Sequence, residues 1–325
     1  MEKLSTKGIW EILKNAGKGF LDDKVFKLSA SLAYYTIFSL GPMLMVIIFL
    51  ANVFFSKEAI EGSLYNQVKG LTGPASAEQI QQIIKSAALS GKSTISAIVG
   101  FVTLLIGATT VFSDMQDSIN SIWGLKLKPL KNNWVKMILS RLLSFSVVVA
   151  LGFLLLVSLA INGLMEALMS RLKNIFPDIA VVVAYAVNLM LTLTITAFLF
   201  AIIFKVLPDA IIKWKDVWMG ALFTALLFMM GKFAISFYIG KTDVGNSYGA
   251  AGSIVVLMLW VYFSSLILYF GAVFTKAYAT KYGHAIMPNR YAVTIQVAEI
   301  ETQGKSIQQN EKEEKQRQKK IEAST

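Results

Sequence analysis

Cysteine is absent, and histidine occurs once, at His284. Disulfides, iron–sulfur clusters and thiolate zinc sites are therefore excluded, while the redox compartment stays open. The glycines of GNSYGAAGS, residues 245–253, are not followed by Lys and Ser or Thr, so this stretch is not a P-loop. The N-terminus MEKLSTKGIWEILKNAG lacks the uninterrupted apolar core and the cleavage site of a signal peptide. The most telling absence is charge. Residues 28–56, 93–113, 142–165, 179–204 and 244–275 contain no Asp, Glu, Lys, Arg or His, and 217–240 contains only Lys232.

Six such runs dictate the fold class. A helix rises about 1.5 Å per residue, so roughly 20 apolar residues cross the hydrocarbon core. With 55% hydrophobic and 16% charged residues, the chain is too apolar for a soluble domain of its length. The expectation is an all-α, polytopic membrane protein of six transmembrane helices. Residues 1–27 form a cytoplasmic amphipathic segment, 28–280 the transmembrane domain with an external helical loop at 57–92, and 281–325 a charged, disordered cytoplasmic tail. The uncleaved first span serves as the insertion signal.

Orientation follows from Lys and Arg. Seventeen flank the spans on the side holding residues 1–27, the 114–141 and 205–216 connections and the C-terminus, against seven on the other side. The positive-inside rule then places both termini in the cytoplasm. The net charge of +11 does not point to nucleic acid, because the tail from Glu299 onward is neutral. The excess sits at the cytoplasmic ends of the spans, facing anionic headgroups. Membrane lipids are thus the expected partners, with cytoplasmic proteins meeting the tail as a further option and a homo-oligomer left open.

The segments around the spans carry their own signals. Ile9, Ile12, Leu13, Ala16 and Phe20 share one helical face opposite Lys3, Lys7, Lys14 and Lys18. This helix either lies in the headgroup region, apolar side down, or packs against other cytoplasmic loops. In the external connection Gly73-Pro74 separates two short amphipathic helices, the second opened by a Ser76/Gln79 capping box. They cover the outer mouth of the bundle, as plain cover or as a lid.

Polar residues inside the runs are the candidate pathway. Gly41-Pro42 should kink the first span and release a backbone carbonyl, with the hydroxyls of Tyr34 and Ser39 one to two turns away. The second span ends in Asp114, Gln116, Asp117 and Asn120; the i, i+3 spacing puts both carboxylates on one face. They could hold a cation or relay protons, or pair with Lys136 or Arg141. Asn188 fits interhelical hydrogen bonding. Lys232 either snorkels outward or faces a cavity and attracts an anionic group. Tyr248 stands at the start of the sixth span, and Gly249, Gly252, Ser253 and Gly271 are small residues suited to close helix packing. No nucleophile–base or metal constellation is legible, so neither a cofactor nor an enzymatic activity is expected.

Four stretches resemble the YihY/BrkB family of bacterial inner-membrane proteins: SASLAYYTIFSLGPML at 29–44, FSDMQDSINSIWGL at 112–125, VLPDAIIKWKDVWMGAL at 206–222 and SYGAAGSIVVLMLWVYFSSLILYFGAVF at 247–274. The resemblance implies six spans with both termini inside and a bacterial inner-membrane location. The family once carried the label ribonuclease BN, but such a metal-dependent nuclease needs a His/Asp cluster, and this chain has one histidine. Links of some members to lipopolysaccharide-precursor export and of others to serum resistance imply a lipid- or envelope-related transport role. The expected function is a transporter or flippase of an amphipathic, anionic envelope lipid or related molecule, against a non-transporting scaffold or regulator. The family has no agreed catalytic residues to transfer.

Overall fold

The computed structural model describes residues 5–54, 107, 110–128, 177–242, 252–295 and 309, with backbone alone at 40–54, 177–181, 184–185, 240 and 253. The external loop 57–92, the third run at 142–165, Lys136, Arg141, Tyr248 and Gly249 lie outside the described residues. Residues up to Thr294 form one compact unit; of the second, from Ile295 onward, Ile295 and Gln309 are described.

Helix α1 spans Thr6–Asp22, and its N-cap Ser5 accepts the Gly8 N–H at 3.1 Å. Its apolar stripe packs inward: Ile12 and Ala16 are buried, and Leu13 and Phe20 lean on the same core. Gly8 lies under Tyr282, and Gly19 lies under Val273. Since α1 numbering rises as the other falls, α1 runs antiparallel to the end of α6 (Gly252–Lys281). Most of this face thus takes α6 as its partner rather than headgroups or cytoplasmic loops, while Ile9 stays exposed.

Asp22-Asp23 end α1. Asp23 N–H bonds Gly19 O at 2.9 Å and Lys24 N–H bonds Leu21 O at 3.0 Å. Lys24 adopts φ 54°, the left-handed region that side chains disfavour. Lys24→Gly is expected to raise stability by about 0.5–1 kcal/mol, read as a higher midpoint of thermal unfolding in detergent. An unchanged or lower midpoint contradicts this.

Helix α2 (Val25–Phe54) begins three residues before the first charge-free run and continues helically across Gly41 and Pro42. The expected disturbance at Pro42 therefore does not divide the span into two helices; the proline removes one donor while turns on both sides persist. Helix α3 is described at residues 110–122 and stops at Gly124, whose φ of 69° suits the C-terminal position of a helix. Next come α4 (Pro177–Val206), opened by a proline at its first position, and α5 (Trp214–Lys241).

Helix α6 is the hub, packing against α1, α2 and α5, while α4 packs on α5. Gly271 of α6 meets Thr224 of α5, and Gly220 of α5 meets Thr275 of α6. Tyr269, Phe204, Ile12, Ile119 and Ile122 are the largest fully buried side chains of the main core. A smaller cluster, Ile235, Ile239 and Val256, closes the far end of the α5–α6 pair.

At the opposite end, where α3, α4 and α6 finish, two small antiparallel sheets tie the connections together. Strand β1 (Leu125–Leu127) pairs with β4 (Ala292–Thr294), and β2 (Ala210–Ile211) pairs with β3 (Met287–Pro288). This corrects the expected boundary of a disordered tail at 281. Residues 281–294 belong to the fold, because their backbone groups find partners in the α3 tail and the α4–α5 connection.

Ala186–Val206, Trp214–Ile239 and Ile254–Lys281 are long and apolar enough to cross a membrane. Only 28%, 22% and 33% of their most apolar windows are buried, so most of each apolar surface is open to a non-aqueous surrounding. Met190, Met230, Phe233 and Phe237 project from such faces.

Candidate functional site

Helix α3 lies antiparallel to α2: Ser31 meets Asp114 and Ser39 meets Gly107. Gly107 permits that approach, since a Cβ there would lie 3.0 Å from Ser39 Cβ. The Ser31 hydroxyl donates to Asp114 Oδ1 at 2.7 Å, while Asp114 Oδ2 is buried without a hydrogen-bond partner. On α6, Tyr269 is fully buried and its hydroxyl is likewise unpaired. Ser118, one turn beyond Asp114, and Asp114 itself are the groups whose dipole and charge act on it, Ser118 lying alongside without a well-formed bond. Below them Trp123 Nε1 donates to Ala272 O at 3.0 Å and Lys276 donates to Ile122 O, anchoring the α3 terminus to α6.

The second polar assembly centres on Asp209, in the α4–α5 connection. Its Oδ2 accepts from Gln116 Nε2 at 3.0 Å and Asn120 Nδ2 at 2.9 Å, and its Oδ1 from Asn289 Nδ2 at 3.0 Å. The Asp209 N–H donates to Asn120 Oδ1 at 2.8 Å, and its carbonyl accepts the Asn289 N–H at 3.0 Å. Asn120 and Asp209 are both buried. One carboxylate thus latches the α3 terminus, the α4–α5 connection and the segment after α6.

Two further contacts close this end. Asp216, buried at the start of α5, accepts from the His284 N–H at 3.1 Å and lies 3.2 Å from His284 Nδ1. Gly283 leaves it room, because a Cβ there would sit 2.4 Å from Asp216 Oδ1. Lys281 pairs with Glu11 of α1 and holds that carboxyl below its ordinary value. Burial pushes Asp23 up, partly opposed by Lys276.

The residues singled out from the sequence are not gathered in one place. Asp114 and Asp117 do not share an environment: Asp114 turns toward α2 and α6, whereas Asp117 is exposed. Residues three apart differ by about 60° around a helix, enough to straddle a buried edge. Asn120 belongs to the Asp209 latch. Ser39 is buried and donates to Thr36 O of its own helix, and Tyr34 is half exposed against Phe38. Asn188 is exposed and accepts from Thr192 in its own helix at 3.2 Å, so its described bond is intrahelical rather than interhelical. Lys232 is partly buried, its ammonium 5.8 Å from the Phe233 ring. Tyr269 is level with the Thr224–Gly271 contact, and Lys232 lies eight residues past Thr224, about 12 Å further along α5. Gly252 is buried, Ser253 is helical, and a Cβ at Gly271 would lie 2.0 Å from Thr224 Oγ1.

Sequence reasoning passed over Asp209, Asp216, Ser31, Ser118 and Tyr269. Asp209 had one signal: an acid after proline in an otherwise basic connection. The others look like ordinary residues until the helices are paired.

Long apolar helices with unburied apolar faces, fastened at one end by buried polar contacts, define an α-helical, multi-pass membrane protein. The chain belongs to the family described as virulence factor BrkB, which matches residues 16–292. A UPF0761 membrane protein of Xanthomonas axonopodis pv. citri is 26% identical over 259 residues, covering 78% of this chain and 57% of that protein. One from Pelodictyon phaeoclathratiforme is 27% identical over 263 residues, covering 79% and 57%. One from Verminephrobacter eiseniae is 27% identical over 271 residues, covering 79% and 59%. The chain thus spans less than two thirds of the length of these curated relatives. No solved structure matches it.

Proposed function

We propose that this protein is a six-span transporter or flippase of the bacterial inner membrane. It would move an amphipathic, anionic envelope lipid or related molecule, with both termini on the cytoplasmic side and no covalent chemistry on its cargo. The observation that carries this reading is a set of buried polar atoms left unpaired on long apolar helices. They are Ser29 Oγ, Asp114 Oδ2, Trp260 Nε1, Ser264 Oγ and Tyr269 Oη. A bundle that served only as an anchor gains nothing from such groups, since each unpaired polar atom in a low-dielectric interior costs about 1–3 kcal/mol. A passing headgroup or an ion would satisfy them.

The charge distribution supports an anionic cargo. Lys7, Lys14 and Lys18 are exposed on α1 beside Trp10, and Lys213 and Lys215 are exposed at the start of α5. Such a basic rim concentrates anionic headgroups at the entrance. The alternative of a non-transporting scaffold draws on the ordered segment 283–294, which offers a folded surface beside the polar latch.

Purified protein reconstituted in vesicles with head-labelled lipids separates the two. Transport predicts faster transbilayer movement of at least one anionic class than in protein-free vesicles. No acceleration across phosphatidylglycerol, cardiolipin and lipid-linked sugar probes would sink it. Loss of phenotype on deleting residues 300–325, with lipid movement intact, would favour the scaffold.

A further inference from the structure

The junction of α2, α3 and α6 holds a carboxyl group on which no described Lys or Arg acts. Asp114 is oriented, because Ser31 fixes Oδ1 at 2.7 Å. That leaves Oδ2 presented, buried and without a partner. The fully buried Tyr269 hydroxyl is also unpaired, with Ser118 alongside. Both unpaired groups belong to one junction, where the Asp114 charge acts on Tyr269, and the second is a wholly buried side chain.

The charges around Asp114 narrow the occupant. Among the described residues, Ser31 of α2 bonds Asp114 and Tyr269 of α6 feels its charge, Tyr269 being the titratable one; Asp117, the next acid on α3, is exposed. No described Lys or Arg acts on Asp114. Lys205 and Lys276, part-buried at this end, are committed to the carbonyls of Ile212 and Ile122. No group of three or more His, Cys, Asp or Glu occurs among the described residues, so a divalent ion would lack charge compensation. One carboxylate surrounded by hydroxyl oxygens matches one positive charge of hard character.

We propose that Asp114 binds a single monovalent cation, Na+ or a proton, at the α2–α3–α6 junction, with the Tyr269, Ser118 and Ser31 hydroxyls around it. Ser31 lies three residues inside the first charge-free run and Asp114 one residue past the second, so the ion sits near one edge of the membrane-crossing bundle, about one helical turn from the run's end. Occupancy removes the penalty of a buried, uncompensated carboxylate and thereby stabilises the bundle. This goes beyond lipid transport: the cation binds whether or not any lipid moves.

The test uses the full chain in detergent, following thermal unfolding while NaCl replaces choline chloride at constant ionic strength, at about pH 6 and about pH 8. If Na+ is the ion, the wild-type midpoint rises by about 2 °C or more with Na+ at the higher pH. Asp114→Asn, which keeps the shape but not the charge, loses that response. If the proton is the ion, the wild type ignores Na+ but is more stable at the lower pH, and Asp114→Asn is flat between the two. Identical responses of wild type and Asp114→Asn to both Na+ and pH overturn the proposal. Should Asp114→Asn fail to fold, Tyr269→Phe decides: a weakened response supports the site, and an unchanged one overturns it. Because no lipid movement is measured, failure here leaves the transport reading standing, and a failed lipid assay leaves the cation site standing.

Discussion

Asp209→Ala is expected to destabilise the protein by about 3–5 kcal/mol, because three amide donors lose a charged acceptor in a buried setting. Gln116, Asn120 and Asn289 all donate to this carboxylate, and their donors would be left facing one another. Asp209→Asn should cost roughly half as much, since one oxygen remains but the new NH2 meets donors. Asparagine is nearly isosteric with aspartate, so the Asp209→Asn cost reads the lost charge and the mismatched donor without a cavity, while Asp209→Ala adds the loss of every acceptor. The readout is unfolding in mixed detergent micelles together with amide hydrogen exchange. Exchange should speed first at Met287, Asn289 and the β2–β3 pair, because the Asn289 N–H bonds to the Asp209 carbonyl. If Asp209→Ala unfolds within 1 kcal/mol or so of the wild type, the latch is decoration rather than support.

That latch marks where sequence reasoning reached and where it stopped. The membrane-crossing helices were legible because lipid imposes a crude length rule. The runs at 179–204 and 217–240 became Pro177–Val206 and Trp214–Lys241, each longer by a few residues at the ends. The donors of Asp209 stand 93, 89 and 80 residues away, so no local spacing reveals them. The strands are two or three residues long, too short for an alternating pattern to register. This is also why the ordered residues 287–294 read as tail. Asp114 and Asp117 show a different limit. Their spacing located a polar edge, but only the antiparallel α2 decides which of the two carboxylates turns inward.

The second large effect concerns a repeat printed in the sequence, whose meaning needs the fold. Gly220-Ala221-Leu222-Phe223-Thr224 in α5 and Gly271-Ala272-Val273-Phe274-Thr275 in α6 share the pattern Gly-Ala-aliphatic-Phe-Thr. Because each glycine faces the other helix's threonine, the two segments cross antiparallel around a local two-fold. A Cβ at Gly220 would lie 1.9 Å from Thr275 Oγ1, and one at Gly271 would lie 2.0 Å from Thr224 Oγ1. Each threonine hydroxyl donates to its own helix, Thr224 to Gly220 O and Thr275 to Gly271 O, both at 2.7 Å. The Phe223 and Phe274 rings stack between them with centroids 3.8 Å apart and planes 12° apart. Ala221 and Ala272 are fully buried.

Lipid offers apolar surfaces no less attractive than a neighbouring helix, so such close packing is the main force holding these helices together. Gly271→Leu should therefore cost about 3 kcal/mol or more, and Gly220→Ala and Gly271→Ala each about 1–3 kcal/mol, by overpacking. Two-fold geometry makes the two alanine effects similar and makes rescue specific. Thr224→Ala should recover much of the loss in Gly271→Ala, with a coupling of about 1–2 kcal/mol, because it removes the clashing Oγ1 and Cγ2. Thr275→Ala should not, since Thr275 faces Gly220. Unfolding of these single variants, and of Gly271→Ala combined with each threonine change, in mixed micelles tests this. Equal rescue by both threonine changes would show that the loss arises from general softening rather than from these reciprocal contacts.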